Sequence, residues 1–337
     1  MDVSFFSDEK TKTLVEDAVP QKRFPTWIFY LLPSILCFFI FTIYPFVKTV
    51  VTSLFITSNT GSLTKFVGIE NYIGLLQNAR YLQCLGNTVK YVLLTVPLTI
   101  IIALLLAVLT STDYPGMGIF RTIFSSTMGI SVAAGSVFWS LIFNPTSGLL
   151  NKVMSVLGFD KVGWLTEENV AMYSISLVSV WMNIGFAYLI LLGAIKSIDS
   201  SHYESVDIVG GGFFYKLFKV TIPLISPSLF FVLTISLIGA FRSFGLIDML
   251  TSGGPNNTTT LLVYKLYKDA FVNFQFGSAS AQGIILFIFI FSCRQNLQKG
   301  LLHTNEKNSG YNYLFRINYM CHLILHAAFI FGFSQLL

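Results

Sequence analysis

Charged side chains are scarce in this sequence. Of its 337 residues only 11% are Asp, Glu, Lys or Arg, whereas 54% are hydrophobic, and the mean hydropathy is +0.70. A soluble protein carries about 25% charged residues, so the composition excludes an ordinary soluble domain. The net charge of +5 includes no basic block, which excludes a nucleic-acid-binding surface. We therefore expect membrane lipid to surround most of the chain and to be one of its partners.

Residues and motifs that support catalysis or metal binding are also few. The four cysteines occur singly, without the spacing of a disulfide framework or a zinc site. His322 and His326 are four residues apart, but no third ligand lies nearby in the sequence, so we predict no metal site. GxxxxGK[ST], HExxH and GxSxG are all absent. We therefore expect no ATP site, no bound cofactor and no catalytic residues in this chain, which is not predicted to be an enzyme.

Long apolar runs are what the sequence does contain. A helix crosses about 30 Å of hydrocarbon with roughly 20 apolar residues, and helices satisfy their own backbone hydrogen bonds in lipid. The fold class is thus predicted to be an all-α membrane protein with six transmembrane helices. They are expected near residues 27–50, 88–110, 123–143, 171–195, 227–248 and 274–292.

Three parts of the chain follow from these spans. Residues 1–26 form a polar leader, residues 27–292 the six-helix domain, and residues 293–337 an atypical tail. The tail ends in an apolar stretch, 320–337, that is either a marginal seventh span or an interfacial helix. Basic residues are more numerous in the segments that share a side with the leader, which predicts a multi-pass protein with a cytoplasmic N-terminus.

The segment between the fourth and fifth spans is too polar and glycine-rich to cross lipid. A helix over 203–209, a break at the glycines 210–212 and a second helix over 213–220, stopped by Pro223, are predicted. Apolar residues at helical spacing alternate with two lysines in the second helix: Phe213, Phe214, Lys216, Leu217, Phe218 and Lys219. This face either enters a hydrophobic groove with an acidic rim on a partner or packs against the membrane interface.

The same segment resembles the cytoplasmic EAA loop of permease subunits of ATP-binding-cassette importers, whose pattern is E-A-A-x-x-x-G followed by I-x-L-P. Glu204 and Gly210 match the first part, and Ile222 with Pro223 match the second. Two alanines of the pattern are replaced here by serine and valine, and Val209 stands where the family usually has an acidic residue. The resemblance implies a coupling loop that contacts an ATPase.

Other stretches resemble the carbohydrate-uptake, maltose-permease-like branch of that family. They are "FVGIENYIGLL", "GNTVKYVLLTVPL", "PGMGIFRTIF", "NPTSGLLN" and "LTSGGPNNTTTLLVYKLYKDAF", in this order. The resemblance implies a sugar-importing permease in the cell membrane that pairs with a second, similar permease and two cytoplasmic ATPase subunits, which bind ATP and Mg. It also implies an extracytoplasmic solute-binding protein that delivers the substrate.

The resemblance assigns ATPase coupling to a set of residues in the loop. Glu204 is expected to contact the ATPase or to cap the first helix, and Gly210 to permit the turn. The full set is Glu204, Gly210, Phe213, Phe214, Lys216, Leu217 and Pro223.

Candidate substrate-pathway residues lie in the fourth and fifth spans. Trp181 and Asn183 offer an aromatic face and a hydrogen-bonding group, although helix packing explains Asn183 equally well. Arg242, expected inside the fifth span, faces a watery cavity or partner helix, or reaches the outer interface.

An outer loop and one rival function complete the expectations. Gly253, Gly254 and Pro255 predict a tight turn, which the resemblance also makes a candidate contact for the binding protein or substrate gate.

The alternative function is an ion-coupled secondary transporter. Such a transporter needs buried ionisable residues and often internal repeats, and the predicted spans contain few charges.

Overall fold

The computed structural model describes residues 27–305, which are almost entirely helical. The α-helices are α1 Trp27–Phe38, α2 Tyr44–Thr52, α3 Glu70–Gln77, α4 Ala79–Thr110, α5 Met117–Ser125, α6 Val132–Ile142, α7 Leu149–Val156, α8 Glu168–Lys196, α9 Ser200–Ile208, α10 Phe213–Tyr215, α11 Ile222–Leu224, α12 Ser226–Phe241, α13 Phe244–Leu250, α14 Leu262–Tyr267 and α15 Phe276–Asn305. Three π-helical segments, Phe39–Ile43, Lys216–Thr221 and Lys268–Val272, and one 3₁₀ turn, Ser126–Gly129, join neighbouring helices.

One small β-sheet interrupts this pattern, so the prediction of an all-α fold was incomplete. Strands β1 (Phe55–Thr57) and β2 (Leu63–Phe66) pair antiparallel in a hairpin after the first span. The side chain of Asn71 donates to the carbonyls of Ser53 and Phe55, at 2.8 and 3.1 Å. These bonds tie the hairpin to α3 and satisfy backbone groups that no helix would satisfy.

Helix α8 is the centre of the packing. In its most apolar 18-residue window, 56% is buried inside the protein, whereas only 6% is buried in the corresponding window of the span at residues 30–52. Small residues of α4, among them Ala103 and Ala107, are fully buried against Tyr188 and Leu191 of α8. Small side chains let membrane helices approach closely. The Tyr188 hydroxyl and the Thr110 hydroxyl, 2.7 Å apart, satisfy each other inside this contact.

The number of membrane crossings lies between four and six. Four continuous helices of the described part are long and apolar enough to span, and two bent helix pairs raise the number to six if each pair is one span. The expected third span, 123–143, was predicted as one helix. The structure instead bends this region by 104° between α5 with its 3₁₀ turn and α6.

A close contact with α8 explains this bend. The Gly185 amide donates to the Thr127 hydroxyl at 3.1 Å, and a Cβ on Gly185 would lie 2.5 Å from that hydroxyl and 2.9 Å from the Met128 amide nitrogen. After the turn, Ser131 caps α6 by accepting a hydrogen bond from the Ala134 amide. The turn therefore sits where α8 has no side chain.

Replacing Gly185 with alanine should destabilise the protein by about 1–3 kcal/mol, because the added methyl group overpacks this contact. Gly193 of the same helix is the matched control, since a Cβ there meets no atom within 4 Å. Alanine favours a helix over glycine by roughly 1 kcal/mol, so Gly193→Ala should be neutral or stabilising. Thermal unfolding in detergent measures both variants. Equal midpoints for the two would contradict the close contact.

The fifth span also differs from its prediction as one helix over 227–248. Helix α12 ends at Phe241, Arg242 follows it as the C-cap, and α13 begins at Phe244. Arg242 therefore lies at a helix end, where the carbonyl dipoles favour a positive charge. At its other end α12 is bent by 72° from the preceding helical segment.

The sixth candidate span, Phe276–Cys293, agrees with the expected 274–292, but its helix continues further. Helix α15 passes through residue 292 without a break and extends to Asn305. The other expectations for the chain ends, namely the leader 1–26, the apolar stretch 320–337 and the pair His322 and His326, lie outside the described residues.

Candidate coupling site

Residues 200–224, between α8 and α12, form a helix–turn–helix that we call the knuckle. The Asp199 carboxylate caps α9 by accepting a hydrogen bond from the Ser201 amide at 2.8 Å. This bond lowers the pKa of Asp199, since it stabilises the ionised carboxylate. The cap is therefore Asp199, and Glu204, which was considered for this role, lies within α9.

Two glycines form the turn of the knuckle, each for a different structural reason. Gly210 has φ +73°, in the left-handed region that glycine adopts without strain. The Gly211 amide donates to the Val206 carbonyl at 2.9 Å and closes the end of α9. A Cβ on Gly211 would lie only 2.3 Å from Cγ1 of the buried Val206. The prediction singled out Gly210, but the steric requirement is at Gly211.

Two side-chain contacts hold the second helix against the first. The Lys216 ammonium and the Asp207 carboxylate are 2.5 Å apart, and the hydroxyls of Tyr203 and Thr221 are 3.1 Å apart. Lys216 was expected to meet an acidic rim on a partner. Within the chain its ammonium pairs with the Asp207 carboxylate of α9.

Pro223 does not stop the second helix, contrary to the prediction. The helical path runs from Phe213 through the π-helical segment to Leu224, with Pro223 in the first turn of α11. The break follows at Ile225, whose amide donates to the Thr221 carbonyl at 3.0 Å. Pro223 therefore shapes the entry into α12.

The knuckle presents a large exposed apolar surface, which we call the docking patch. Phe213 and Phe214 are 56% and 72% exposed, as the sequence predicted for a contact face. Leu217 was assigned to the same face but is buried, at 8% exposure. The whole patch consists of Ile208, Val209, Phe213, Phe214, Tyr215 and Phe218. Ile208 and Val209 were missed because they sit at the end of the first helix, where α9 has no apolar periodicity.

Charged groups border the docking patch. Glu204 and Lys219 are exposed, and within the described part of the chain neither side chain makes a hydrogen bond or an ion pair. An exposed apolar area rimmed by polar groups is typical of a protein contact surface.

The proposed pathway residues are not gathered in one pocket. Trp181 is half-buried and stacks on Phe138, with ring centres 5.9 Å apart, while Trp139 lies edge-on to it at 5.7 Å. Asn183 is exposed on the helix surface, and its amide donates to the Ser179 carbonyl of its own helix at 2.7 Å. Arg242 is exposed at the end of α12. Trp181 therefore belongs to an aromatic cluster, whereas Asn183 and Arg242 face outward.

The outer loop at residues 251–260 is held by its own side chains. The Thr259 hydroxyl donates to the Gly254 carbonyl at 2.6 Å, and the Thr260 hydroxyl donates to the Gly253 carbonyl at 3.0 Å. Gly253 has φ +84°, and a Cβ there would lie 2.5 Å from the Thr260 hydroxyl. The tight turn predicted at Gly253, Gly254 and Pro255 is therefore present, in a fixed loop.

A buried polar cluster near the outer loop was missed by the sequence reasoning. The Asp269 carboxylate, 6% exposed as a residue, accepts hydrogen bonds from Lys265 at 2.8 Å, Gln282 at 2.5 Å and Asn273 at 3.0 Å. Gln282 lies in α15, so the cluster joins the outer segment to the last span. The spacing of Lys265 and Asp269, four residues apart, was the available signal.

No group of three potential ligands suited to a metal ion occurs among residues 27–305.

Comparison with known proteins places this chain in a family. Residues 73–301 match the family model described as "Binding-protein-dependent transport system inner membrane component". The chain is 31% identical over 269 residues to the sn-glycerol-3-phosphate transport system permease protein UgpA of Escherichia coli O157:H7, a match that covers 78% of this chain and 90% of the relative. The UgpA protein of Yersinia pestis bv. Antiqua (strain Antiqua) is 32% identical over 270 residues, which cover 79% and 90%.

Solved structures share the fold. A bacterial ABC transporter involved in the import of the acidic polysaccharide alginate superposes with a TM-score of 0.71 at 21% identity, over 90% of this chain and 100% of that one. A second structure, a bacterial alginate ABC transporter in complex with an alginate pentasaccharide-bound periplasmic protein, gives a TM-score of 0.68 at 22% identity, over 86% and 95%.

Fold and family together define a multi-pass permease of the inner membrane. The chain belongs to the family of binding-protein-dependent transport system inner membrane components. It is the permease subunit of an ABC importer and not the subunit that hydrolyses ATP, as the resemblance of the segment around Glu204 and Gly210 indicated.

Proposed function

We propose that the knuckle docks into a cytoplasmic ATPase subunit and transmits its closure to the spans. The observation that carries this proposal is the docking patch, in which Phe213 and Phe214 stay exposed although the rest of the knuckle is tied to the chain. An apolar helix face inserted in a groove is a common recognition mode. Glu204, at the rim, then pairs with a donor on the ATPase.

The assembly that follows contains this chain, a second homologous permease, two ATPase subunits that bind ATP and Mg, and an extracytoplasmic solute-binding protein. In this chain six crossings and a cytoplasmic N-terminus place the knuckle in the cytoplasm. The bent pair of residues 117–142 counts as the third crossing, and α12, which follows the knuckle, is taken as the fifth. The positions of the helix ends support this topology, because α4 and α8 both end beside the knuckle.

The substrate proposed is a sugar or a sugar derivative. The relatives named above are permease proteins of sn-glycerol-3-phosphate transport systems, and the two structures of the same fold come from alginate importers. Trp181 and Asn183 remain proposed pathway residues, with the outer loop at Gly253, Gly254 and Pro255 as a proposed contact for the binding protein. Arg242 is proposed to lie near the outer mouth of this pathway.

Uptake into proteoliposomes tests the proposal. The chain is reconstituted with the neighbouring permease, ATPase and binding protein, and sn-glycerol 3-phosphate, maltose and an alginate oligosaccharide serve as labelled probes. We expect uptake of one probe that requires ATP and continues without an ion gradient. Uptake that follows an ion gradient and ignores ATP would instead establish the secondary transporter.

Asn183→Leu should reduce this uptake about tenfold and leave assembly intact, because leucine removes an exposed hydrogen-bonding group at nearly the same volume. A tenfold loss equals about 1.4 kcal/mol, the contribution of one hydrogen bond. Leu189→Asn, at an exposed position of the same helix, is the control for polarity changes on α8. Normal uptake by Asn183→Leu would remove Asn183 from the pathway.

A further inference from the structure

Asp113 lies at the centre of a charged cluster next to the knuckle. Its carboxylate accepts hydrogen bonds from the Lys196 ammonium at 2.8 Å and from the Arg121 guanidinium at 2.9 Å. The same guanidinium donates to the carbonyls of Thr110 and Thr112, at 2.9 and 2.8 Å. We call Asp113, Arg121 and Lys196 the clasp. Hydrogen bonds between charged partners are stronger and more directional than neutral ones.

The clasp joins three helices at one point. Thr110 is the last residue of α4, Arg121 belongs to α5, and Lys196 is the last residue of α8. The knuckle begins only four residues after Lys196, at Ser200. The start of the knuckle is therefore fastened to the ends of the second, third and fourth spans. The donors lower the pKa of Asp113, Lys196 most and Arg121 next, so its carboxylate is ionised at neutral pH.

A cleft lies between the clasp and the knuckle. It has a volume of about 600 Å³, and its lining includes Asp113 and Lys196 of the clasp and Tyr203, Phe213 and Lys216 of the knuckle. Because this space lies open, the middle of the knuckle does not press directly on Asp113. A push on the docking patch then reaches the spans through the joints at the two ends of the knuckle, and the clasp is the first of these joints.

We propose that Asp113 is a positioning residue that fixes the joint between the fourth span and the knuckle, so that movement of the knuckle is passed to the second and third spans. The proposal rests on the docking function proposed for the knuckle. Asp113 lies outside the docking patch. Its effect is on coupling, and an exposed ion pair contributes little to overall stability.

Coupling is measured in proteoliposomes that contain the whole assembly, as sn-glycerol 3-phosphate transported per ATP hydrolysed. We expect Asp113→Asn to lower this ratio about tenfold with unchanged assembly, and Asp113→Glu, which keeps the charge, to stay within about twofold of the wild type, since only the charged acceptor binds both donors strongly. Asp160→Asn, at an exposed acid of the outer segment, is the control. Equal ratios for Asp113→Asn and the wild type would overturn the proposal.

A second measurement needs no substrate. Amide hydrogen exchange of the full chain in detergent should become several-fold faster over residues 111–121 in Asp113→Asn and remain unchanged in Asp160→Asn, since exchange reports local opening. Unchanged exchange over 111–121 would overturn the clasp even if no probe is transported. A wild-type assembly that transports no probe, with faster exchange in Asp113→Asn, would count against the proposed substrate and leave the clasp in place.

Discussion

Replacing Gly211 with alanine should weaken docking of the ATPase by about tenfold or more, with little change in the membrane-spanning helices. The added Cβ would lie 2.3 Å from Cγ1 of Val206 and 3.2 Å from the ring of Tyr215. Val206 is buried and β-branched, so it cannot move its methyl group aside at low cost. Overpacking of this kind costs about 1–3 kcal/mol, and the knuckle relieves it by opening the angle between α9 and the second helix.

The capture of ATPase subunits by the detergent-solubilised chain measures this effect. We expect a loss of about tenfold or more in affinity for Gly211→Ala, equal to at least about 1.4 kcal/mol. Gly210→Ala should have a smaller effect, about 1 kcal/mol, because only its left-handed φ of +73° is strained.

Gly212 provides the matched control for the turn. Its φ is −74°, and a Cβ there meets no atom within 4 Å. Gly212→Ala should therefore capture the ATPase like the wild type. If all three alanine variants capture it equally, the rigid turn is not needed for docking; if all three fail equally, the loss comes from backbone stiffening and not from the contact with Val206.

Removal of the Asp269 carboxylate should strongly destabilise the protein, because this buried group accepts hydrogen bonds from three side chains. Asp269→Ala would leave the Lys265 ammonium, whose side chain is only 17% exposed, without its partner, and would free the amides of Gln282 and Asn273. Breaking a buried ion pair in this way costs about 3–5 kcal/mol. The cost is high because the remaining charge stays in a poorly solvated site.

Thermal unfolding in detergent tests this expectation, together with two comparison variants. Asp269→Asn keeps the shape and part of the hydrogen bonding and should lose less stability, while Asp160→Asn, at an exposed position, should change stability by no more than about 0.5 kcal/mol. The double variant Asp269→Leu with Lys265→Met removes both charges and should recover part of the loss. If Asp269→Ala unfolds at the same temperature as the wild type, water solvates the Lys265 ammonium in the folded state.

The knuckle could be predicted from the sequence because its signals are local. The glycines 210–212 force a turn between two short helical stretches, and Phe213 and Phe214 project from the second stretch. The burial of Leu217 and the pairing of Lys216 could not be predicted in this way. Both depend on residues outside the second helix. Lys216 pairs with Asp207 of α9, and Leu217 lines the cleft beside the ends of the spans.

The bends in the third and fifth spans show the same limit. Hydropathy measures how apolar a segment is, and both halves of the third span are apolar, so a window over 123–143 cannot detect the turn at residues 126–131. The turn is stabilised by Gly185, more than fifty residues away, which offers its amide and an empty Cβ position. The hairpin at residues 55–66 was missed because its strands are short and the side chains of β2 are all exposed.

Photo-crosslinking from the docking patch is the most direct test of the central claim, that the knuckle is the surface that binds the ATPase. A photoreactive phenylalanine analogue is placed at Phe214, which is 72% exposed, or at Phe159, which is 62% exposed in the outer segment. The account predicts a crosslink to the ATPase subunit from position 214 and none from position 159. A crosslink from position 159 alone, or none from position 214 in an assembly that hydrolyses ATP, would contradict it.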